Sequence, residues 1–202
     1  MAVEDSFSTI SAPAEALFKD RGSRFLGYAY PVKSDTEARS LWLQLKELHP
    51  KAVHWCYAYR LGTDRNRYRA SDDGEPSGSA GKPILNVLYS RGLTNVLVVV
   101  VRYFGGTLLG VPGLINAYKT ATELALDETT VIQGYVTVSY RVSFPYEAMN
   151  SVMKVVKEMN LEIQNPVYEM ECRLEVEVRK AQAKEFVEKC SRTENAAVAE
   201  IS

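Results

Sequence analysis

The chain is poor in the residues that build redox and metal chemistry. Its 202 residues include three cysteines (Cys56, Cys172, Cys190) and two histidines (His49, His54). An odd, widely spaced cysteine set with no CxxC pair argues against a disulfide framework, and two histidines are too few for a His/Cys metal site. The thiols sit inside apolar patterns, which predicts buried, reduced cysteines and a cytoplasmic protein. Long hydrophobic runs are missing: none approaches the roughly 20 residues that span a bilayer. The opening Met1-Ala-Val-Glu-Asp-Ser-Phe-Ser8 has neither the basic nor the apolar segment of a signal peptide, so a soluble protein is expected. Charge of one sign is lacking as well, since the net charge is −1. The balance advertises no polyanion partner. Only residues 60–102 lean positive, with Arg60, Arg65, Arg67, Arg69, Lys82, Arg91 and Arg102 against Asp64, Asp72, Asp73 and Glu75.

What is present is a 46% hydrophobic composition with strong periodicity, enough for two cores. Strands are expected near 7–10 and 14–20, then at 23–32, where Phe25, Leu26, Tyr28 and Tyr30 supply β-favouring bulk. Ser34-x-x-Glu37 opens a helix whose Ala38, Leu41, Trp42, Leu45 and Leu48 recur at helical spacing until Pro50. Residues 53–61 and 67–70 read as a hairpin. A short helix over 84–90 follows, with Pro83 in its first turn. The β-branched run Val96 to Val101 predicts a strand covered on both faces, and a helix is expected over 114–126. This gives an α/β sandwich over 1–130. From 131 the pattern restarts: alternation over 136–144, a helix marked by Met149 to Met159, a short strand near 161–163, alternation over 170–178, a helix over 183–190, and a strand at 197–201. The order β-α-β-β-α-β predicts a ferredoxin-like domain over 131–202.

Most of the twelve glycines, and three of the eight prolines, crowd the two ends of the Val96 to Val101 strand. Glycine and proline fix backbone shape, so a shaped surface is expected there. Ser77-Gly-Ser-Ala-Gly-Lys82 looks like a phosphate loop, but the positions that need glycine and Ser/Thr hold Pro76 and Pro83. Gly105-Gly106, Gly110 and Gly113 do not spell GxGxxG. Two uses remain open for this backbone: binding an anion through exposed N–H groups, or packing loop against sheet. Asp72, Asp73 and Glu75, with Lys82, could serve a metal- or phosphate-dependent enzyme, although Asp and Gly in succession are also what a turn requires. His54 and Cys56 share a strand face as base and nucleophile would, yet such neighbours seldom align for proton transfer. Arg65, Arg67 and Arg69 with interleaved tyrosines, and Arg102-Tyr103-Phe104, are residue types that contact phosphates and stack on bases. A solvated hairpin uses the same composition. Glu169, Glu171, Glu175 and Glu177 would give the second domain an acidic face, a poor platform for nucleic acid.

Ser71-Asp-Asp-Gly-Glu-Pro-Ser-Gly-Ser-Ala-Gly-Lys-Pro83 together with Val100-Val-Arg-Tyr-Phe-Gly-Gly-Thr-Leu-Leu-Gly110 resembles the motifs of the Impact/YigZ family, also known as uncharacterised protein family UPF0029. Ser23-Arg24-Phe25 and His54-x-Cys56-x-Ala58 support the resemblance, which covers about residues 15–130. It implies a first domain similar to domain IV of elongation factor G, a second similar to that factor's ferredoxin-like domains, and a link to translation. Eukaryotic members resemble regulators that restrain an amino-acid-starvation kinase, and bacterial members are credited with nucleic-acid or ribosome binding. The resemblance carries Asp72, Asp73, Gly74, Glu75, Pro76, Gly78, Gly81, Lys82, Arg102, Tyr103, Phe104, Gly105, Gly106 and Gly110 over as the candidate surface. Where the family pattern has a second glycine and then a basic residue after Gly110, this chain has Pro112 and Asn116. The expectation is a non-enzymatic regulatory protein that binds RNA or the ribosome, without cofactor or metal. The alternatives are an enzyme using Asp72, Asp73, Glu75 and Lys82, or a pure protein-interaction module.

Overall fold

The computed structural model describes residues 5–63 and 66–201, and contacts divide them into two compact units. The first runs from Phe7 to Gly134; the second begins at Tyr135 and also takes Asp5 and Ser6. Among the described residues no helix is long and apolar enough to cross a membrane.

In the first unit, β1 (Ser6–Ile10) pairs with β7 (Val131–Tyr135). A five-stranded antiparallel sheet carries the rest, in the order β2 (Ala14–Asp20), β3 (Ser23–Pro31), β6 (Val96–Tyr103), β4 (His54–Leu61), β5 (Arg67–Ser71). The central β6 is buried on both sides as its unbroken β-branched run requires. Val96, Val98 and Val100 face a core shared with α2 (Gly81–Ser90) and α3 (Gly110–Asp127). Leu97, Val99 and Val101 face the opposite core, under α1 (Asp35–Leu48). Sandwiching the sheet between α1 on one face and α2 with α3 on the other gives the site two distinct surroundings.

Local signals place the helices. Ser34 caps α1, its Oγ accepting from Glu37 N at 3.2 Å, while Glu37 Oε2 accepts from Lys33 N at 2.7 Å. The reciprocal bond of the capping box is thus made one residue earlier than the usual pattern. α3 starts at Gly110 rather than Leu114, because Pro112 is tolerated in a first turn whose N–H groups have no intrahelical acceptor.

At its end α1 delivers His49, whose two ring nitrogens lie 2.8 Å from Tyr28 Oη and 2.9 Å from Tyr103 Oη. Partial burial holds the imidazole below its ordinary value of 6.5, against an opposing pull from Glu15. The unfolded chain then takes up the proton more readily, so stability falls as pH drops from about 6.5 through the folded value. An imidazolium has no acceptor left for either tyrosine. Urea midpoints measured between pH 7 and pH 5 should show this decline, and a His49→Gln variant should lose that component of it.

The second unit has the ferredoxin-like order. β8 (Thr137–Pro145), α4 (Met149–Glu158), β9 (Ile163–Val167), β10 (Glu171–Arg179), α5 (Ala183–Ser191) and β11 (Ala197–Ile201) build an antiparallel sheet ordered β11-β8-β10-β9. Alternation on β10 buries Cys172, Leu174, Val176 and Val178 against the helices and turns Glu171, Arg173, Glu175 and Glu177 outward. Glu169 precedes the strand, and Arg173 interrupts the acidic face expected of it. β9 lies later than the 161–163 expectation: Pro166 is accepted on this edge strand, and Asn165 at φ 47° accompanies a register shift opposite Arg173 and Glu175. Asp5 is held by Arg179 through Nε at 2.9 and 3.0 Å and Nη2 at 2.7 Å, with a further bond from Ala181 N. The Arg179 guanidinium keeps the Asp5 carboxyl at about 2, well below the usual carboxylate range.

Candidate functional site

The polar loop between β5 and α2 folds back on itself because its carboxylates have backbone and cationic partners waiting. Asp72 accepts from Gly78 N at 2.8 Å, Ala80 N at 3.0 Å and Gly81 N at 2.8 Å. Ala80 N and Gly81 N are groups that a helix start leaves without acceptors, so a carboxylate of the loop already occupies the anion-attracting end of α2. Asp73, at φ 41°, and Gly74, at φ 90°, reverse the chain. The Asp73 carboxylate accepts from Trp55 N at 2.8 Å and meets Lys46 Nζ at 3.3 Å.

Glu75 goes inward. Its Oε1 lies 2.6 Å from Arg102 Nη1 and accepts from Tyr118 Oη at 2.8 Å, while His54 Nε2 stands 3.9 Å away. Glu75 is 8% exposed and Arg102 5%. Two charges so deep are costly unless paired and hydrogen-bonded. Here the guanidinium also lies near the rings of Phe25 and Phe104, at 5.4 and 5.7 Å. Tyr118 in turn receives Cys56 Sγ at 3.3 Å, and the same thiol contacts Asp72 O at 2.9 Å. Burial pushes both the Cys56 thiol and the Tyr118 phenol far above their ordinary values, leaving Cys56 protonated and inert as a nucleophile. His54 is engaged through Nδ1 with Asp73 O at 2.7 Å. The strand pair His54 and Cys56 is therefore a joint between loop and sheet.

The glycines serve the same closure. A Cβ on Gly81 would stand 2.6 Å from Ser71 N, and one on Gly105 would stand 1.9 Å from the Gly22 carbonyl carbon. Gly105 N also donates to Ser23 Oγ at 3.1 Å. Of the two uses open to this backbone, these two positions serve close packing. The supporting residues Ser23, Arg24 and Phe25 converge here too, with Arg24 over the Tyr103 ring at 4.8 Å.

The candidate residues therefore divide. Asp72, Asp73, Glu75, Arg102 and Gly81 form a clamp between loop and sheet in which Arg102 is buried, and Gly105 packs at its exposed edge. The separation of Arg102 from Lys82 is a matter of depth: Lys82 is exposed on α2. Phe104, Gly106 and Gly110 are exposed just beyond the same end of β6 that carries Arg102, and Gly74 is exposed in the turn. Arg67 and Arg69 are exposed on β5, Arg67 meeting Asp35 at 3.4 Å; Arg65 lies outside the described residues. Arg60 points inward, donating to Leu93 O at 2.6 Å. The three carboxylates offered for metal or acid–base work diverge. Among the described residues no group of three or more His, Cys, Asp or Glu is placed to hold a metal.

Gly78 and Lys82 line a groove of about 510 Å³ between α2 and α3, together with Asn86, Ser90 and Lys119. Glu123 closes one end, 3.8 Å from Lys119 in an exposed pair. α3 begins without a side-chain cap. Lys119 and Tyr118 escaped the sequence reading because each is an ordinary member of a helical stripe; only their neighbours in space give them roles.

Comparison with known proteins places these features. The Impact N-terminal domain profile matches residues 21–126. IMPACT family member YvyE of Bacillus subtilis is 31% identical over 183 residues, covering 91% of this chain and 84% of its own. A crystal structure of a hypothetical protein matches with a TM-score of 0.76 at 28% identity, covering 99% of both chains. The two-domain translational regulator Yih1 matches at 30% identity over 60% of this chain and 47% of its own, with a TM-score of 0.36 that carries no argument about shape.

Proposed function

This chain belongs to the Impact family, and on that premise we propose that it is a translation-associated regulatory protein that binds RNA, including RNA of the ribosome, without catalysing a reaction. One observation carries the reading: the carboxylates of the loop motif are engaged by groups of the protein itself, Glu75 in the interior and Asp72 and Asp73 at its edge. Asp72 is spent on the α2 N-terminus, Asp73 on Lys46 and Trp55 N, and Glu75 on Arg102. The repulsion that the Asp-Asp-Gly-Glu sequence would present to a phosphate backbone is thereby reduced, with Asp73 and Glu75 each paired to a cation. What remains outside is Lys82 with Lys119 across the α2–α3 groove, the uncapped start of α3, and the exposed ring of Phe104.

Where the resemblance leads us to expect a basic residue after Gly110 this chain has Asn116, and Lys119, about one turn on, supplies positive charge to the same helix. Phosphate contact by exposed lysines is point-charge recognition and depends strongly on salt. RNA affinity of the full chain, followed by fluorescence anisotropy from low to physiological salt, should fall linearly on a log–log plot. A Lys82→Ala/Lys119→Ala variant should bind more weakly and lose about 0.7–0.9 of slope per lysine. No RNA binding by the wild type, or an unchanged slope in the variant, rejects the assignment.

A further inference from the structure

The opposite face of the sheet carries a second concavity, used by nothing described so far. It lies between α1 and the β4–β5 hairpin and encloses about 700 Å³, within the range of small-molecule sites. Its aromatic members are Trp42, Tyr57 and Tyr59. The Trp42 and Tyr57 rings lie 5.6 Å apart at 58°, and Tyr57 and Tyr59 are parallel within 5° at 6.3 Å. These rings are fixed in place. Trp42 Nε1 donates to Trp55 O at 2.9 Å, Lys46 Nζ sits 4.1 Å over Trp42, and the Tyr59 hydroxyl donates to Asp35.

The rim is basic. Arg39 and Arg69 line the opening and are exposed, and among the described residues neither has a carboxylate within ion-pair reach. The acids at this groove are already matched: Asp35 to Arg67, and Asp73 to Lys46. Packed aromatics beside two unmatched guanidinium groups fit a planar ring that carries a negative group. Asp35 retains lone pairs that can accept from an exocyclic amine. We infer that this groove is a nucleotide subsite, which stacks one base against Trp42 and Tyr57 and holds its phosphate on Arg39 and Arg69. The inference rests on the RNA reading for the source of the nucleotide, since a base splayed from a single strand is what such a pocket takes. It adds a site on the other side of the sheet from Lys82 and Lys119.

The chain contains its own probe, because its two tryptophans, Trp42 and Trp55, lie in or beside the groove. Adenosine monophosphate titrated into the full chain should quench tryptophan emission saturably, with a dissociation constant in the millimolar range or tighter. Arg69→Ala, at an exposed strand position, should weaken that binding about tenfold, the loss of a charge-assisted hydrogen bond. Lys82→Ala/Lys119→Ala should leave it unchanged. Absence of saturable quenching, or equal quenching in an Arg39→Ala/Arg69→Ala variant, overturns the subsite. RNA binding that persists without nucleotide quenching rejects the subsite alone. Nucleotide quenching without RNA binding supports the subsite and rejects the α2–α3 assignment.

Discussion

Arg102→Ala should destabilise the first unit by about 3–5 kcal/mol, the cost of leaving a buried carboxylate without its cation. Glu75 would keep the Tyr118 hydroxyl and a histidine edge at 3.9 Å, too little to compensate a charge that is almost out of contact with solvent. The damage should be local in origin and cooperative in effect, because Glu75 anchors the loop that Asp72 ties to α2 and Asp73 ties to α1. Glu75→Ala should be similarly severe, since it leaves the buried guanidinium beside Phe25 and Phe104 without its carboxylate. A Glu75→Leu/Arg102→Met variant, which removes both charges and keeps volume, should recover much of the loss, as replaced buried pairs often do. Chemical denaturation of the three variants checks the order. A single Arg102→Ala variant as stable as the wild type would mean that the pair is solvated in solution.

Gly105→Ala should cost about 1–3 kcal/mol, the usual range for forcing atoms into a packed site. The added Cβ would meet backbone, at 1.9 Å from the Gly22 carbonyl carbon and 2.1 Å from Ser23 N, so no side chain can swing aside to relieve it. Either the turn after β2 or the loop after β6 must move. Such movement breaks the Gly105 N to Ser23 Oγ bond and shifts Phe104 off Arg102. Gly106→Ala is the control: its Cβ would meet nothing within 4 Å, and its penalty comes only from a φ of 86°. Thermal denaturation should therefore show the larger loss at Gly105. The reverse order would contradict the packing account of this loop.

Most elements of the fold were legible because they rest on contacts close in sequence or on strict periodicity; β7 was not, since its partner β1 lies more than 120 residues away. Val96 to Val101 announced a two-sided strand, Ser34 and Glu37 announced a helix start, and alternation along 170–178 announced a half-buried strand. The fates of the charges were not legible. Glu75 and Arg102 are separated by 27 residues, Glu75 and Tyr118 by 43, and Asp5 and its partner Arg179 by 174. Nothing in local composition marks an arginine as buried rather than offered to phosphate, and an Arg-Tyr-Phe run suits either. Tyr118 falls within the helix expected over 114–126, but nothing local places its hydroxyl at the centre of the clamp. Asp72, Asp73, Glu75 and Arg102 come together between loop and sheet, while Lys82, Phe104, Gly106 and Gly110 lie exposed around them. Asp72, Asp73 and Glu75 close the loop onto the sheet, and the proposed phosphate contacts therefore fall to Lys82 and Lys119, of which the motif contains only the first.

The most direct measurement of this division is the salt dependence of RNA affinity in the Glu75→Leu/Arg102→Met variant beside Lys82→Ala, both shown to be folded. If Arg102 is structural and Lys82 faces the phosphates, the slope in the first variant equals that of the wild type, and in the second it falls by about 0.7–0.9. A slope that falls in the Glu75→Leu/Arg102→Met variant and holds in Lys82→Ala would contradict the account.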